Sequence, residues 1–270
     1  MAYSNLPAQL WDIMAAVRDT APLVHNITNL VVQNDTADAI AAVGGTQITL
    51  HTEEEARDAG SICGALALNL GTLDESLLRC ARDALAGAGE HGRPWVLDPV
   101  AAGLTTYRGA AAREFVQAGP TVLKANASEV MALAGLAEGG RGADSIHSVE
   151  TAAAAARELA GRYGAIVAVT GEQDWITDGV RSATIANGRP LMGRMIGSGC
   201  MLTSVVGCAL AVADSPWEAV LAAVAYFDVA GELASEGAGG PGTLKPLFID
   251  ALYGLEREAF QARVAVTLEA

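Results

Sequence analysis

The sequence has few basic residues, few aromatic residues and few cysteines. Only 17 lysines and arginines stand against 31 aspartates and glutamates, which gives a formal net charge of −14. Surfaces that bind nucleic acids need clustered lysines and arginines to neutralise phosphates. The charge balance therefore argues against a nucleic-acid partner. A nucleotide can still bind if local dipoles, a few cations and Mg²⁺ supply the positive field.

The four cysteines show neither the spacing of a metal site nor that of a disulfide framework. Free thiols predict a cytoplasmic protein. The segment Met1–Pro22 lacks a basic start and carries charges within its apolar pattern, so it indicates an amphipathic helix rather than a signal peptide. No apolar run reaches the ~18 residues of a membrane span, and we expect no membrane partner.

Long Pro- or Ser-rich linkers are also absent, which favours a single domain over residues 1–270. The stretch 135–144, with four glycines, is predicted to be a surface loop. Apolar residues make up 51% of the chain but aromatic residues only 5%, and alanine is frequent. This composition suits a sizeable core of helices packed on a sheet.

Short apolar runs alternate with longer helical patterns, which predicts an α/β fold with a mostly parallel central sheet flanked by helices. Predicted strands are Leu23–Thr28, Thr46–Leu50, Ala65–Leu70, Trp95–Pro99, Thr121–Lys124 and Ile166–Thr170. Predicted helices are Asn29–Val43, Glu53–Ala59, Asp74–Ala86, Ala110–Gln117, Ser128–Ala134, Val149–Arg162, 200–212, 216–235 and about 244–255. Two further runs flank the turn residues Asp178 and Gly179 and predict an antiparallel hairpin at one edge.

Polar residues cluster at or just after the ends of the predicted strands. Because ligands bind beyond the carboxyl ends of strands in open α/β sheets, these groups are expected to converge on one site. They are His25–Asn29, Asn69–Thr72, Asp98–Val100, Asn126–Glu129 and Thr170–Glu172.

A glycine-rich turn, Gly197-Ser198-Gly199, leads directly into a helical pattern. Glycines let the backbone approach a ligand, and the free N–H groups of a helix start favour anions, so the turn predicts a phosphate site. Cys200 follows it, and the helix start is expected to lower the pKa of its thiol. Turns of this kind also close ordinary αβ units that bind no ligand.

Asp98 and Glu129 are the carboxylates best placed to hold Mg²⁺, which takes one or two carboxylates together with phosphates and water. The alternative is that Asp98 holds a turn and Glu129 opens a helix capped by Asn126. Lys124 could contact a nucleotide phosphate, and Thr170 could line the same pocket. The acidic residues Asp228, Glu232 and Glu236 are predicted to form the solvated face of a helix.

These motifs resemble the hydroxyethylthiazole kinases, thiamine-pathway enzymes with the ribokinase-like fold. The similarity runs in the family's order from about Pro22 to Leu255. It rests on Val24–Asn29, Asn69–Leu73, Leu97–Val100, Thr106–Arg108, Asn126–Glu129, Val169–Glu172 and Asn187–Cys200. Cys200 is specific, since most ribokinase-like enzymes have aspartate there.

The resemblance implies transfer of a phosphoryl group from ATP, with Mg²⁺, to the hydroxyl of 4-methyl-5-(2-hydroxyethyl)thiazole. It also implies a homotrimer with active sites between subunits. Cys200 would occupy the catalytic position, and Asp98 and Glu129 the metal region. The remaining implied contacts are Thr49, Gly197 and Asn26 with the substrate, and Lys124, Thr170 and Gly199 with ATP.

Two positions depart from the family pattern. Lys124 stands where arginine is usual, which replaces a bidentate phosphate contact by a point charge. Thr49 stands where a methionine contacts the thiazole, and this shorter, more polar side chain predicts a wider pocket and a weaker affinity for the thiazole. Other interpretations are a kinase for another small alcohol, a ribokinase-fold NAD(P)H-hydrate dehydratase and a non-catalytic nucleotide sensor.

Overall fold

The computed structural model describes residues 5–136 and 149–269. Most of the glycine-rich stretch predicted as a surface loop at 135–144 lies outside these residues.

The described residues contain a nine-stranded sheet in the order β2-β1-β3-β4-β5-β6-β7-β8-β9. Neighbouring strands from β2 to β6 run parallel, and the last three strands are antiparallel. The strands are β1 Leu23–Ile27, β2 Thr46–Ile48, β3 Ala65–Asn69, β4 Trp95–Asp98, β5 Val122–Asn126, β6 Ile166–Thr170, β7 Asp174–Thr177, β8 Ser182–Ile185 and β9 Val266–Glu269. The predicted mostly parallel sheet is confirmed.

Helices cover both faces of this sheet. They are α1 Leu6–Thr20, α2 Gln33–Ala42, α3 Glu53–Ile62, α4 Glu75–Glu90, α5 Thr106–Gln117, α6 Ala127–Leu133, α7 Val149–Tyr163, α8 Ser198–Leu210, α9 Pro216–Gly237, α10 Pro241–Gly254 and α11 Arg257–Arg263. One buried apolar cluster joins α1, α2, α8, α9 and α10 to the sheet, and a second joins it to α4, α5, α6 and α7. The result is the α/β arrangement that the composition predicts.

Strand β3 shows how the sequence assigns its two faces. All five residues are buried, and successive side chains point to opposite sides. Ala65 and Ala67 face the cluster that contains α8, whereas Leu66 and Leu68 face the cluster that contains α4. The small alanines let α8 lie close to the middle of the sheet, where it contacts β1, β3 and β4.

The predicted hairpin is confirmed as β7 and β8. The carboxylate of Asp178 accepts the N–H groups of Val180 and Arg181 and closes the turn. Strand β9 was not predicted. It pairs with β8 from the far end of the chain, and its four residues are not continuously buried.

Two predicted helix starts are wrong. Helix α2 begins at Gln33, because residues 29–32 form a turn in which the side chain of Asn29 accepts the N–H of Val31 at 3.1 Å. Helix α5 begins at Thr106, four residues before the prediction, because Thr105 caps it by accepting the N–H of Arg108 at 3.2 Å.

The prediction of a solvated acidic face on α9 is wrong for Asp228 and Glu232, which are both 6% exposed. Helix α9 is apolar around most of its circumference and packs against α1, α8 and α10. Asp228 and Glu232 therefore point into the protein. Glu236 is exposed, as predicted, and pairs with Arg263 at 2.6 Å. None of the helices in the described residues is both long and apolar enough to span a membrane.

Candidate active site

The glycine turn places the start of α8 at the carboxyl ends of β1, β3 and β4. Gly197 precedes the helix with φ of +90°, and a Cβ built there would lie 2.5 Å from Cγ1 of Val32. Glycine is therefore required by both the backbone conformation and the space. The helix begins at Ser198, and its first turn leaves backbone N–H groups without partners within the helix.

Asp98 is the centre of a buried polar network in front of this helix start. Its Oδ2 accepts hydrogen bonds from Nδ2 of Asn69 at 2.8 Å, from Nζ of Lys124 at 3.0 Å and from Oγ1 of Thr203 at 2.7 Å. Asp98 is 1% exposed. The three donors come from β3, β5 and α8, so the carboxylate ties these elements together.

Lys124 lies between Asp98 and the glycine turn. Burial lowers the pKa of its ammonium group, but the charges of Asp98 and Glu129 outweigh burial and raise that pKa overall. A Cβ built on Gly199 would lie 3.1 Å from Nζ of Lys124. The lysine thus puts a fixed positive charge beside the amide groups of the helix start, although its contact with ATP stays a prediction.

Cys200 lies in the first turn of α8 and belongs to the same network. Nδ2 of Asn29 donates to Sγ of Cys200 at 3.4 Å and to Oδ1 of Asn69 at 2.9 Å. The expected lowering of the thiol pKa is wrong. Burial and the charge of Asp98 raise the pKa of Cys200, and the nearby Lys124 and the two asparagines only partly offset them.

Glu129 closes a capping box at the start of α6, where the alternative interpretation expects a helix capped by Asn126. Its Oε2 accepts the N–H of Asn126 at 2.9 Å, while Oε1 accepts the N–H of Ala101 at 2.8 Å. Burial raises the pKa of Glu129, and the charge of Asp98 raises it further. Glu129 therefore joins the loop after β4 to the helix after β5.

Asp98 and Glu129 bring two carboxyl groups to this end of the sheet, next to the ammonium group of Lys124. Among the described residues no three His, Cys, Asp or Glu side chains group into a metal site. The donor set of Asp98 and Glu129 fits Mg²⁺, because this ion keeps several waters and completes its shell with substrate phosphates. This donor set does not suit a metal ion whose ligands must all come from the protein.

Thr170 ends β6 beside β5, where Asn126 and Thr170 are paired in register. The turn that follows is held by Asp174, whose Oδ1 accepts the N–H of Gly171 at 2.8 Å. Thr170 is half-buried and Gly171 is exposed at the same end of the sheet as Asp98. A nucleotide contact at Thr170 stays a prediction.

The two remaining predicted substrate contacts differ in their surroundings. Asn26 is 1% exposed, its Nδ2 donates to Oγ1 of Thr36 at 3.0 Å, and its Oδ1 accepts from Oγ of Ser204 at 3.0 Å. Thr49 is half-buried directly after β2, and its hydroxyl donates to the side chain of Gln47. Contact of either residue with a substrate stays a prediction.

Sequence reasoning gave no role to several residues of the network. Asn29 and Asn69 lie within the motifs at the ends of β1 and β3, and their position there was the available signal. Thr203 lies inside an apolar helix, and no local sequence pattern indicates its role. Arg108 donates to the carbonyls of Leu70, Gly71 and Val100 and so joins the loops after β3 and β4.

Comparison with known proteins finds similarity to one family over most of the chain. The sequence profile described as "HK: Hydroxyethylthiazole kinase family" matches residues 14–258. A hydroxyethylthiazole kinase of Granulibacter bethesdensis is 45% identical over 244 residues, which cover 90% of this chain and 89% of the relative. A hydroxyethylthiazole kinase of Rhizobium etli is 44% identical, in an alignment that covers 95% of this chain and 100% of the relative.

Solved structures give the same result. A structure of a hydroxyethylthiazole kinase protein from Pyrococcus horikoshii OT3 superposes with a TM-score of 0.89 at 36% identity, covering 97% of this chain and 99% of that one. A pyridoxal kinase from Staphylococcus aureus, in complex with AMP-PCP and pyridoxal, superposes with a TM-score of 0.67 at 17% identity over 92% of this chain. The second likeness shows the shared ribokinase-like fold alone.

Proposed function

The chain belongs to the hydroxyethylthiazole kinase family, a family of phosphotransferases, and on that premise we propose that it transfers the γ-phosphoryl group of ATP to the hydroxyl of 4-methyl-5-(2-hydroxyethyl)thiazole. The observation that carries this proposal is the position of the Gly197–Cys200 turn. It brings a helix start and a thiol to within hydrogen-bonding range of the network around Asp98.

Phosphoryl transfer requires positioning and charge stabilisation more than covalent chemistry. The backbone amides of the Gly197–Cys200 turn, together with the α8 dipole, stabilise the negative charge of the transferring group. Lys124 adds a positive charge next to Gly199. Thr170 and Gly171 contact ATP from the neighbouring end of β6.

Cys200 faces the acceptor alcohol in this scheme. Because burial raises the pKa of the thiol, it is protonated at neutral pH and orients the hydroxyl by hydrogen bonding. Asn29 fixes the position of Sγ, and Asn69 fixes Asn29. Asn26, Gly197 and Thr49 bind the remainder of the alcohol.

Asp98 and Glu129 would hold Mg²⁺ through the waters that this ion retains. When bound, the ion neutralises charge on the phosphate oxygens. Asp98 also keeps Lys124 charged and places Thr203, so it acts on the site through the protein as well.

We further propose one domain over the whole chain, a cytoplasmic location and a homotrimer. An apolar rim next to the glycine turn supports an interface there: Leu30, Val31 and Ile196 are 70%, 66% and 73% exposed. A second copy that covers this rim would lie beside Gly197. Active sites between subunits follow from that position.

The experiment is an ADP-release assay with the purified protein, ATP, Mg²⁺ and a panel of small alcohols that includes the thiazole alcohol and pyridoxal. We expect ADP release with the thiazole alcohol, loss of release with EDTA and recovery with excess Mg²⁺. The same panel with Thr49→Met tests the acceptor contact, since methionine packs well against aromatic rings and should lower the KM of the thiazole alcohol alone.

The outcomes separate the alternatives. Release with a different alcohol assigns another substrate to the kinase. ATP binding without release with any alcohol identifies a sensor. Loss of water from hydrated NADH, measured in parallel, identifies a dehydratase.

A further inference from the structure

A pair of buried carboxyl groups lies behind the turn that we assign to ATP. Asp174 begins β7 and is 7% exposed, and Asp228 lies on α9 and is 6% exposed. The two side chains are hydrogen-bonded to each other. Oδ2 of Asp228 is buried and has no N–H or O–H donor among the described residues. If Asp228 were ionised, Oδ2 would share a negative charge without any hydrogen-bond donor. A protonated carboxyl group avoids the cost of burying that charge.

The pair is connected to the site through one backbone group. Oδ1 of Asp174 accepts the N–H of Gly171 at 2.8 Å. Gly171 follows Thr170 at the end of β6. A contact chain therefore runs from α9 through Asp228 and Asp174 to the turn at Thr170 and Gly171.

We propose that Asp228 is a positioning residue, which donates a hydrogen bond from its carboxyl group to Asp174 and thereby holds the Thr170–Gly171 turn in the conformation that binds ATP. The role of this turn rests on the proposed function. Asp228 itself touches neither substrate.

The hydrogen-bond donors around the pair assign the shared proton to Asp228. Burial raises the pKa of Asp228 well above its ordinary value, and the charges of Asp174 and Glu232 raise it further. Burial also raises the pKa of Asp174, although the N–H of Gly171, Asp228 and the charge of Lys124 on β5 partly offset this effect. The geometry distinguishes the two groups, because Oδ1 of Asp174 accepts the N–H of Gly171 whereas Oδ2 of Asp228 has no donor among the described residues. Asp228 is thus the donor and Asp174 the acceptor.

The other groups on this side leave the assignment unchanged. Glu232, one turn further along α9, is neutralised by Arg189 at 3.0 Å and accepts from Asn187 at 3.3 Å. Gly188 lies next to Asp228, since a Cβ built on Gly188 would be 3.7 Å from Oδ1 of Asp228. A glycine supplies no side-chain donor there.

The proposal predicts a pH effect on ATP binding. A carboxyl group whose pKa is raised in the folded protein favours folding below its ordinary pKa, and this contribution is lost as the pH rises through the raised value. Above that value two carboxylates repel each other and the turn loosens. ATP binding should therefore weaken on the alkaline side.

Asp228→Asn and Asp228→Ala separate the donor from the charge. The asparagine amide donates to Asp174 at every pH, so we expect an ATP KM close to the wild-type value without the alkaline rise. Alanine cannot donate, and we expect an ATP KM about tenfold higher at neutral pH, the scale of a lost hydrogen bond to a charged group. The KM of the acceptor alcohol should not change. Glu236→Gln, an exposed acid on the same helix, should match the wild type throughout.

Calorimetric titration of ATP analogues and infrared difference spectra complete the test. The wild type minus Asp228→Asn spectrum at neutral pH should contain the carbonyl band of a protonated carboxylic acid. Absence of that band, or an alanine variant with wild-type ATP affinity, overturns the proposal. A wild-type protein that binds no ATP overturns the proposed function and this role with it, which is distinct from a failure confined to the variants.

Discussion

Nδ2 of Asn29 donates a hydrogen bond to Sγ of Cys200 at 3.4 Å, across 171 positions of sequence. This contact joins the loop after β1 to the start of α8. Through Asn69 it continues to Asp98, so the thiol, the glycine turn and the carboxylate form one connected unit. The site is thus assembled from four separate parts of the chain.

Replacing Cys200 tests whether the thiol acts on the acceptor. We expect Cys200→Ala to lower kcat about 10²-fold or more while the Kd of ATP stays unchanged, because a positioned group contributes on that scale to the chemical step. Cys200→Asp need not lower the rate, since a carboxylate can also act as a base. The matched control is Cys80→Ala, which removes a buried thiol on α4 and should leave both values unchanged. An unchanged kcat in Cys200→Ala would make Cys200 a packing residue.

The pH dependence of Cys200 can be measured directly. Because burial and the charge of Asp98 raise its pKa, alkylation of Cys200 should be slow at neutral pH and should accelerate only at alkaline pH. Peptide mass mapping assigns the modified cysteine. Rapid alkylation of Cys200 near pH 7 would show instead that the helix start dominates the thiol.

The carboxylates Asp98 and Glu129 should set the metal requirement. We expect Asp98→Asn and Glu129→Gln each to raise the Mg²⁺ concentration for half-maximal rate, because each removes a negative charge that would hold the hydrated ion. Glu114→Gln on α5, an exposed acid paired with Arg82, is the control. Wild-type Mg²⁺ dependence in both site variants would leave the two carboxylates with structural roles only.

The ion pair between Asp98 and Lys124 should matter for folding because both side chains are buried, at 1% and 6% exposure. Lys124→Met leaves a buried carboxylate without its counter-charge and should lower the free energy of unfolding by about 3–5 kcal/mol. Adding Asp98→Asn should restore part of that loss. Denaturant titration of the wild type, Lys124→Met, Asp98→Asn and the double variant measures these changes.

The control for this cycle is Arg57→Met, which breaks an exposed pair with Glu90 and should change little. The direction in which the stability contribution of the Asp98–Lys124 pair changes with pH follows from the pKa of Lys124. Although burial lowers the pKa of Lys124, Asp98 and Glu129 raise it more, so the contribution of the pair is complete below the ordinary pKa of lysine and is lost as the pH rises through the raised value. Equal losses in Lys124→Met and Arg57→Met would contradict a buried ion pair.

The apolar rim tests the homotrimer. Val31→Asp places a charge in the proposed interface and should reduce the mass measured by light scattering, together with activity. Val180→Asp, in the turn between β7 and β8, is the control, because Val180 is still more exposed at 90%. A wild-type protein with the mass of a monomer at micromolar concentration would remove the trimer and the intersubunit site.

Local patterns predicted most of the sheet and the position of the site. Each feature used can be recognised from a few neighbouring residues. These features are the short buried runs, the Asp178–Gly179 turn and the polar residues that follow the strands. Strand β9 could not be predicted in the same way, because four residues that are not continuously buried gain their structure only from pairing with β8.

Properties that depend on distant neighbours were predicted less well. The thiol pKa of Cys200 is raised by Asp98, which is not a sequence neighbour, and no local pattern indicates this. The prediction for Asp228 and Glu232 is wrong because it rests on the general tendency of acidic residues to form the solvated face of a helix. The apolar residues on all sides of α9 were the better signal, since such a helix is buried.

The most direct test of the account is the product formed by the wild-type protein from ATP, Mg²⁺ and 4-methyl-5-(2-hydroxyethyl)thiazole. Mass spectrometry and phosphorus NMR should show a phosphate ester on the side-chain hydroxyl, with ADP in equal amount and none of the ester from Cys200→Ala above a small residual rate. Folded wild-type protein that binds ATP but forms no such ester would contradict the assignment of a thiazole alcohol kinase.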